Sequence, residues 1–319
     1  AEQAATFIQD GMTVGMSGFT RAGEAKAVPL ALVKQAHSNP LKITLITGAS
    51  LGNDLDKQLT EAGVLARRLP FQVDNTLRKA INKGEVMFID QHLSETVEQM
   101  RNLQLKKPDI AIIEAVAITE DGGIIPTTSV GNSASFAIFA EKVIVEINTN
   151  LSPAFEGLHD IYIPSYRPTR QPIPLTEVDQ RIGTHAINID PSKIVGIVIN
   201  GEFHDSPSTV TEPDDETQGI ANHLIAFFEK EVAEERLPRS LGPLQAGIGS
   251  IANAVLTGLK DSNFEDLVMY SEVLQDCTFE LIDAGKMKFA SGSSITLSAK
   301  YGEKVFNNLE AYKDKLVLR

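Results

Sequence analysis

One cysteine, no tryptophan and no apolar run near membrane-spanning length mark this sequence of 319 residues, and each shortage excludes something. A lone thiol, Cys277, cannot build an intrachain disulfide framework or supply the several thiolates of a structural zinc site, and it reads as a small packed residue. The longest apolar runs fall far below the roughly 18 to 20 residues that cross a bilayer, and no charged-then-apolar leader opens the chain. No membrane association and a cytoplasmic location are expected. Basic residues are also scarce: 29 Lys and Arg against 42 Asp and Glu give a net charge of −13. Without a basic stripe no nucleic-acid partner is expected, and an anionic ligand needs local backbone donors. The histidines, at 37, 92, 159, 185, 204 and 223, lack the i, i+4 or clustered spacing of a zinc site, so no metal is expected. No P-loop occurs, which removes support for P-loop phosphoryl transfer.

What is present is alternation. The β-rich runs TVGM, KITLIT, VMFID, DIAIIEAVAI, KVIVEIN and KIVGIVIN are separated by helix-length amphipathic segments, which predicts βαβ units and a mostly parallel sheet. Pro29 suits a first helical turn, Asn39-Pro40 a helix stop and Asn53-Asp54 the next start. Residues 153–174 break the rhythm with five prolines and read as an extended surface strap. Arg167 and Arg170 on it are either solvated or free to meet a phosphate. A Pro-, Ser-, Thr- and acid-rich stretch, HDSPSTVTEPDDETQG, then reads as a linker, with Asp214, Asp215 and Glu216 compensating the dipole of the helix that follows. The length prior of about 150 residues per domain agrees with two. The expectation is two tandem open α/β domains with mostly parallel sheets, 1–206 and 207–319, the second incomplete.

Two glycine-rich turns and one acid are candidates for chemistry. VGMSGFTRAGEAKAVP places Gly18 and Gly23 between a strand and a helix, where backbone amides either cradle an anion or only make a tight turn. Gly247-Ile248-Gly249-Ser250-Ile251-Ala252 fits G-x-G-x-x-A between a strand and a helix. Glu272 follows about 20 residues on, at the exit of the apolar strand LVMY. A pattern reading makes this a nicotinamide dinucleotide site, with Glu272 on the ribose hydroxyls. The same geometry also serves an amide turn facing an oxyanion while the glutamate attacks a carbonyl held between them, with the amide of Ile248 the chosen donor. The third role for Glu272 is a solvated strand-end acid.

The stretches VGMSGFTRAGEAKAVP, QAGIGSIANAVL and YSEVLQD, in this order across nearly the whole chain, resemble the acetyl-CoA hydrolase/transferase family, the class I CoA-transferases that include succinyl-CoA:acetate CoA-transferases. The resemblance implies a CoA-transferase-like fold, with the catalytic glutamate on the second domain. It implies that Glu272 is the nucleophile and becomes a glutamyl-CoA thioester, and that Gly247, Ile248, Gly249, Ser250 and Ile251 contribute to the coenzyme A site and the oxyanion hole. CoA then moves between a short-chain acyl-CoA and a carboxylic acid of the acetate, succinate or propionate class, with acyl-CoA hydrolysis as a side or main activity. Acyl-CoA and carboxylates are the expected partners, and a homodimer the expected assembly. Family members continue beyond the equivalent of Arg319 into a later glycine-rich segment with further CoA contacts and a second oxyanion donor, so the chain is expected to be about the first two-thirds of an enzyme. The competing readings are a Rossmann-type oxidoreductase and a non-catalytic CoA- or sugar-phosphate-binding domain.

Overall fold

The computed structural model describes residues 1–209 and 213–319; Val210, Thr211 and Glu212, at the centre of the expected linker, lie outside the described residues. The chain divides into two compact units, one of Ala1–Ile173 with Gly183–Ser206 and the other of Pro174–Ile182 with Pro207–Arg319. The short piece Pro174–Ile182, which the linear reading places in the first domain, therefore belongs to the second unit. It is held there by backbone carbonyls: Arg319 donates to those of Val178 (3.2 Å) and Gln180 (2.5 Å), and Arg181 donates to that of Leu316 (3.4 Å).

In chain order the first unit contains α1 (Glu2–Ala5), β1 (Thr13–Met16), α2 (Ala27–Ser38), β2 (Ile43–Ile46), α3 (Leu55–Glu61), β3 (Leu65–Leu69), α4 (Asn75–Asn82), β4 (Met87–Phe88), α5 (Leu93–Arg101), β5 (Ile110–Ile118), β6 (Ile124–Pro126), α6 (Ser133–Phe139), β7 (Lys142–Asn148) and β8 (Ile194–Asn200). The strands lie in the order β4-β3-β2-β1-β5-β7-β8, all parallel, and β6 pairs antiparallel with β5. The order reverses between β1 and β5. In open α/β sheets the crevice outside the carboxyl ends at such a reversal is where ligands bind. The core lies between sheet and helices, and α2 shows how it is specified: Val28, Ala31, Leu32 and Ala36 recur at helical spacing and are buried. Full burial of Val28 or Leu32 contributes about 1.5–3 kcal/mol each. The helix stops at Asn39, whose extended φ of −135° and ψ of 83° is what a residue before proline adopts.

The second unit contains α7 (Asp215–Ala233), β9 (Pro243–Leu244), α8 (Ser250–Asp261), β10 (Leu267–Tyr270), β11 (Val273–Leu274), α9 (Asp276–Asp283), β12 (Met287–Gly292), β13 (Ser294–Ile295), α10 (Ala299–Phe306) and β14 (Leu316–Leu318). Its four-stranded parallel sheet runs β14-β12-β10-β9 without a reversal, and β11 pairs with β13. Helix α7 begins with a capping box in which the Asp214 carboxylate accepts from the Thr217 amide at 2.8 Å, with Asp215 and Glu216 in the first turn. Those acids serve the helix dipole. The run LGPLQAG, read as a strand, pairs only over Pro243–Leu244. Left-handed φ values at Leu241 (61°) and Gly242 (80°) bend the chain before it, and the glycine turn follows at once.

Candidate active site

Parallel pairing brings the two sequence motifs of the second unit together. Strand β9 lies beside β10 with Leu244 opposite Met269, so the turn leaving β9 and the segment leaving β10 emerge side by side. Two side chains tie them. Ser271 Oγ donates to the carbonyl of Ala246 (2.9 Å), and Gln275 Nε2 donates to the carbonyl of Gly247 (3.2 Å). Glu272 stands between those ties. Its own carbonyl accepts from the amides of Ser293 (2.9 Å) and Ser294 (3.2 Å), which fixes the backbone from the β12 side. Its side chain is exposed. Among the described residues its carboxylate makes no hydrogen bond or ion pair. A strand-end acid fixed at the backbone and free at its carboxylate can act as a nucleophile or base toward anything brought to it.

The turn itself is exposed at Gly247, Ile248 and Gly249, with Ile248 63% and Ile251 50% accessible. Gly249 is the N-cap of α8, with φ 138°, and no side chain caps the helix there. That φ belongs to glycine. Gly247 is different: its φ lies outside the left-handed region, and a Cβ there would meet nothing within 4 Å. Neither conformation nor packing among the described residues requires glycine at 247. Ser250 and Ile251 open α8, so their amides belong to the uncapped first turn, the positive end of the helix. Beside this turn opens a cleft of about 530 Å³ whose apolar lining includes Leu224, Phe228, Ile248, Ile251, Val255 and Leu256. Glu272 is not among its lining residues.

The first glycine-rich turn has a different fate. The first amides of α2 are already occupied, because the Glu146 carboxylate accepts from the amides of Lys26 (2.8 Å), Ala27 (2.9 Å) and Val28 (3.1 Å), and from Asn200 Nδ2 (3.1 Å). The protein supplies the anion itself, so the tight-turn reading holds here. Gly23 is required by packing, since a Cβ would come within 3.0 Å of the Ser129 amide. Beneath the turn lies a charged network that sequence reading missed. Glu114 on β5 and Glu146 on β7 sit opposite each other in register, both fully buried. The Lys26 ammonium reaches Glu114 Oε1 (2.9 Å), Asp205 Oδ1 (2.7 Å) and the carbonyl of Glu24 (2.6 Å). Burial alone would lower the Lys26 pKa, but Asp205, Glu114 and Glu24 outweigh it and raise it well above the lysine range. The available signal was a glutamate inside each of the apolar runs IAIIEAVAI and KVIVEIN, because a charge on a strand covered on both faces must have a partner.

The remaining candidates are structural. Arg170 (2.8 Å) and Arg167 (3.9 Å) both reach Glu98 of α5, which also holds Arg101. Cys277 is buried, and its thiol is pushed up to about 12, chiefly by burial. It is therefore a poor thiolate nucleophile. Among the described residues no group of three or more His, Cys, Asp or Glu is placed to hold a metal ion, and no helix is long and apolar enough to cross a membrane.

Comparison with known proteins agrees with this architecture. The acetyl-CoA hydrolase/transferase N-terminal domain model matches residues 1–199. Over all of this chain and 60% of its own length, a succinyl-CoA:acetate CoA-transferase of Clostridium kluyveri is 43% identical. An acetyl-CoA hydrolase of Schizosaccharomyces pombe is 42% identical over 98% of this chain and 62% of its own length. The chain thus spans about three-fifths of the length of these curated relatives. Among solved structures, RipA from Yersinia pestis superposes with a TM-score of 0.70 over 95% of this chain and 64% of its own, at 16% identity, which shows a shared fold. The matched model covers well over half of the 319 residues, and the chain belongs to the acetyl-CoA hydrolase/transferase family.

Proposed function

We propose that the protein carrying this chain moves CoA between a short-chain acyl-CoA and a carboxylic acid, with Glu272 as nucleophile and the Gly247–Ile251 turn as the source of oxyanion and CoA contacts. The single observation that carries this reading is the juxtaposition of a free carboxylate and an uncapped, exposed helix N-terminus at adjacent strand exits, joined through Ser271 and Gln275. The two relatives, named for CoA transfer and acetyl-CoA hydrolysis, support the substrate class. The lack of an intrachain reason for glycine at 247 fits close approach of a ligand, and the apolar cleft beside the turn suits the uncharged part of an acyl-CoA.

The chemistry balances with these residues alone. The Glu272 carboxylate attacks the thioester carbonyl, CoA leaves as thiolate, and an acyl-glutamyl anhydride remains. The thiolate then attacks the glutamyl carbonyl, releasing the acyl group as a carboxylate and leaving a glutamyl-CoA thioester. An acceptor carboxylate reverses both steps. Exchange between two carboxylic acids is nearly thermoneutral, so neither intermediate lies in a deep well, and water admitted at the acyl-enzyme stage turns the same site into a hydrolase. Residues 1–206 and 207–319 are read as the family's N-terminal domain and the first part of its C-terminal one, and the assembly as a cytoplasmic homodimer. Light scattering on the purified protein measures the assembly.

The carrying experiment is intact mass after incubation with an acyl-CoA and no acceptor. A CoA-sized increase supports the reading, and an unchanged mass under conditions of measured exchange sinks it. Enhanced fluorescence of reduced nicotinamide on titration would instead favour the oxidoreductase. The turn has its own test. Because the donor is backbone, Ile248→Ala leaves exchange within a few-fold of the parent. Gly249→Val forces a β-branched residue into φ 138° and misplaces the amides, which lowers turnover on the order of 10²-fold. Full turnover in Gly249→Val removes the turn from the mechanism.

A further inference from the structure

At the carboxyl ends of β1 and β2, two loops hold four consecutive-pair residues in left-handed backbone: Thr20 (φ 51°) with Arg21 (φ 66°), and Asn53 (φ 53°) with Asp54 (φ 54°). Such residues are strained, most of all a β-branched threonine, and persist only where surrounding contacts hold them. Asn53 is held on one side by Ser206, whose hydroxyl accepts from its backbone amide (3.3 Å) and donates to its Oδ1 (3.0 Å), and on the other by Glu24. The Arg21 amide donates to the carbonyl of Ser50 (3.0 Å), joining the loops at their rims. Beneath them, Asn53 Nδ2 donates to Glu24 Oε1 (2.9 Å), so the first loop's glutamate grips the second loop's strained pair. Gly18 and Gly52 both press on Glu24, where a Cβ would collide with its side chain.

Glu24 is fully buried, and among the described residues its second oxygen, Oε2, has no hydrogen-bond partner. An ammonium has three N–H donors. Those of Lys26 have three oxygens in reach, Glu114, Asp205 and the backbone carbonyl of Glu24, with none directed to the Glu24 carboxyl. The acid beside it is Asp205, from the segment after β8; Glu114 of β5 reaches the same Lys26 ammonium, and Glu146 of β7 caps α2. The α3 side contributes only the Asn53 amide, since Asp56 there is paired with Arg68 at 2.8 Å. An ionised Glu24 would be a buried charge with one amide donor, the Asp205 carboxylate beside it, and the Lys26 ammonium as its one compensating charge among the described residues.

We propose that Glu24 is a proton-bearing clasp: its neutral carboxyl holds the loops 17–24 and 48–54 in their strained conformation, and loss of the proton releases them. Burial, with Asp205 nearby, pushes Glu24 up to about 7 and Glu114 up to about 8, in both cases against the opposing pull of the Lys26 ammonium. Hydrogen bonding separates the two. Glu114 accepts from Lys26, Thr127 and Asn148, which favours its charged form, whereas among the described residues the Glu24 carboxyl accepts from Asn53 alone. The charged form of Glu24 therefore has the weaker hydrogen-bond support of the two. This clasp lies at the reversal point of the first unit's sheet, and the proposal does not rest on the role assigned to Glu272.

The test is amide hydrogen exchange of the two loops in the intact protein, corrected for intrinsic rates, from about pH 5.5 to about pH 8.5. In the parent, both segments lose protection together as pH rises through about 7, on the order of tenfold or more. Glu24→Gln, which keeps the neutral shape, stays protected throughout, and Glu24→Ala is loose at every pH. A flat parental profile overturns the clasp, and so does Glu24→Gln behaving like Glu24→Ala. If Glu24→Gln fails to fold, carbon-13 titration of the Glu24 carboxyl in the parent decides, and a midpoint below about 5 overturns the proposal.

Discussion

Glu272→Ala abolishes CoA exchange in the protein carrying this chain, while circular dichroism and thermal midpoint stay near the parental values. The second half of that expectation follows from the structure: the side chain is exposed, and among the described residues only the Glu272 carbonyl is hydrogen-bonded, by the amides of Ser293 and Ser294. Surface truncations of this kind usually change stability by less than about 0.5 kcal/mol. The first half follows from covalent catalysis, in which no neighbouring group can replace the attacking oxygen. Glu272→Asp retains the charge but withdraws the oxygen by roughly 1 Å, a displacement that costs on the order of 10²-fold. Borohydride added after acyl-CoA reduces the glutamyl thioester and blocks further turnover. Mapping the CoA adduct to the YSEVLQD peptide supports the assignment. An adduct formed equally well on Glu272→Gln overturns it, as does one on Cys277, although burial already argues against that thiol.

The sequence shows best what is encoded locally. Runs such as TVGM and DIAIIEAVAI are predominantly apolar because helices cover both faces of the sheet, and the parallel order of β1, β2, β5 and β7 follows that pattern. The meeting of Glu272 with the Gly247 turn is equally local in kind: each lies just past a strand, and adjacent parallel strands deliver their exits to one edge. What stays hidden depends on contacts distant in sequence. The piece 174–182 joins the second unit through Arg319 and Arg181, more than a hundred residues away in their pairings, and no composition shift marks it. The first glycine turn resembles an anion cradle until Glu146, 120 residues from Lys26, is found occupying it. Glycine after a strand fits either fate, and only the helix-capping partner distinguishes α2 from α8.

Lys26→Met destabilises the first unit by about 3–5 kcal/mol, the cost of breaking a buried ion pair by removing one partner. The size follows from what is left behind. Glu114 and Asp205 lose an ammonium at 2.9 and 2.7 Å, the Glu24 carbonyl loses its donor, and methionine fills the volume without supplying a hydrogen. The deficit also has a pH signature with a definite sign. A carboxyl whose folded pKa lies above its unfolded value binds a proton more readily when folded, so it contributes stability at low pH that is lost as pH rises through the folded value. Glu114 already stands raised to about 8 by burial with Lys26 present, and removing the cation raises it further. The urea midpoint of Lys26→Met, followed by far-ultraviolet circular dichroism because the chain has no tryptophan, therefore lies nearer the parental value at about pH 5 than at about pH 8. Adding Glu114→Gln to Lys26→Met removes one uncompensated charge and recovers part of the loss, a coupling of about 0.5–3 kcal/mol between contacting residues. A deficit below about 1 kcal/mol, or one equal at both pH values, means that Lys26 is not what compensates the paired glutamates of β5 and β7.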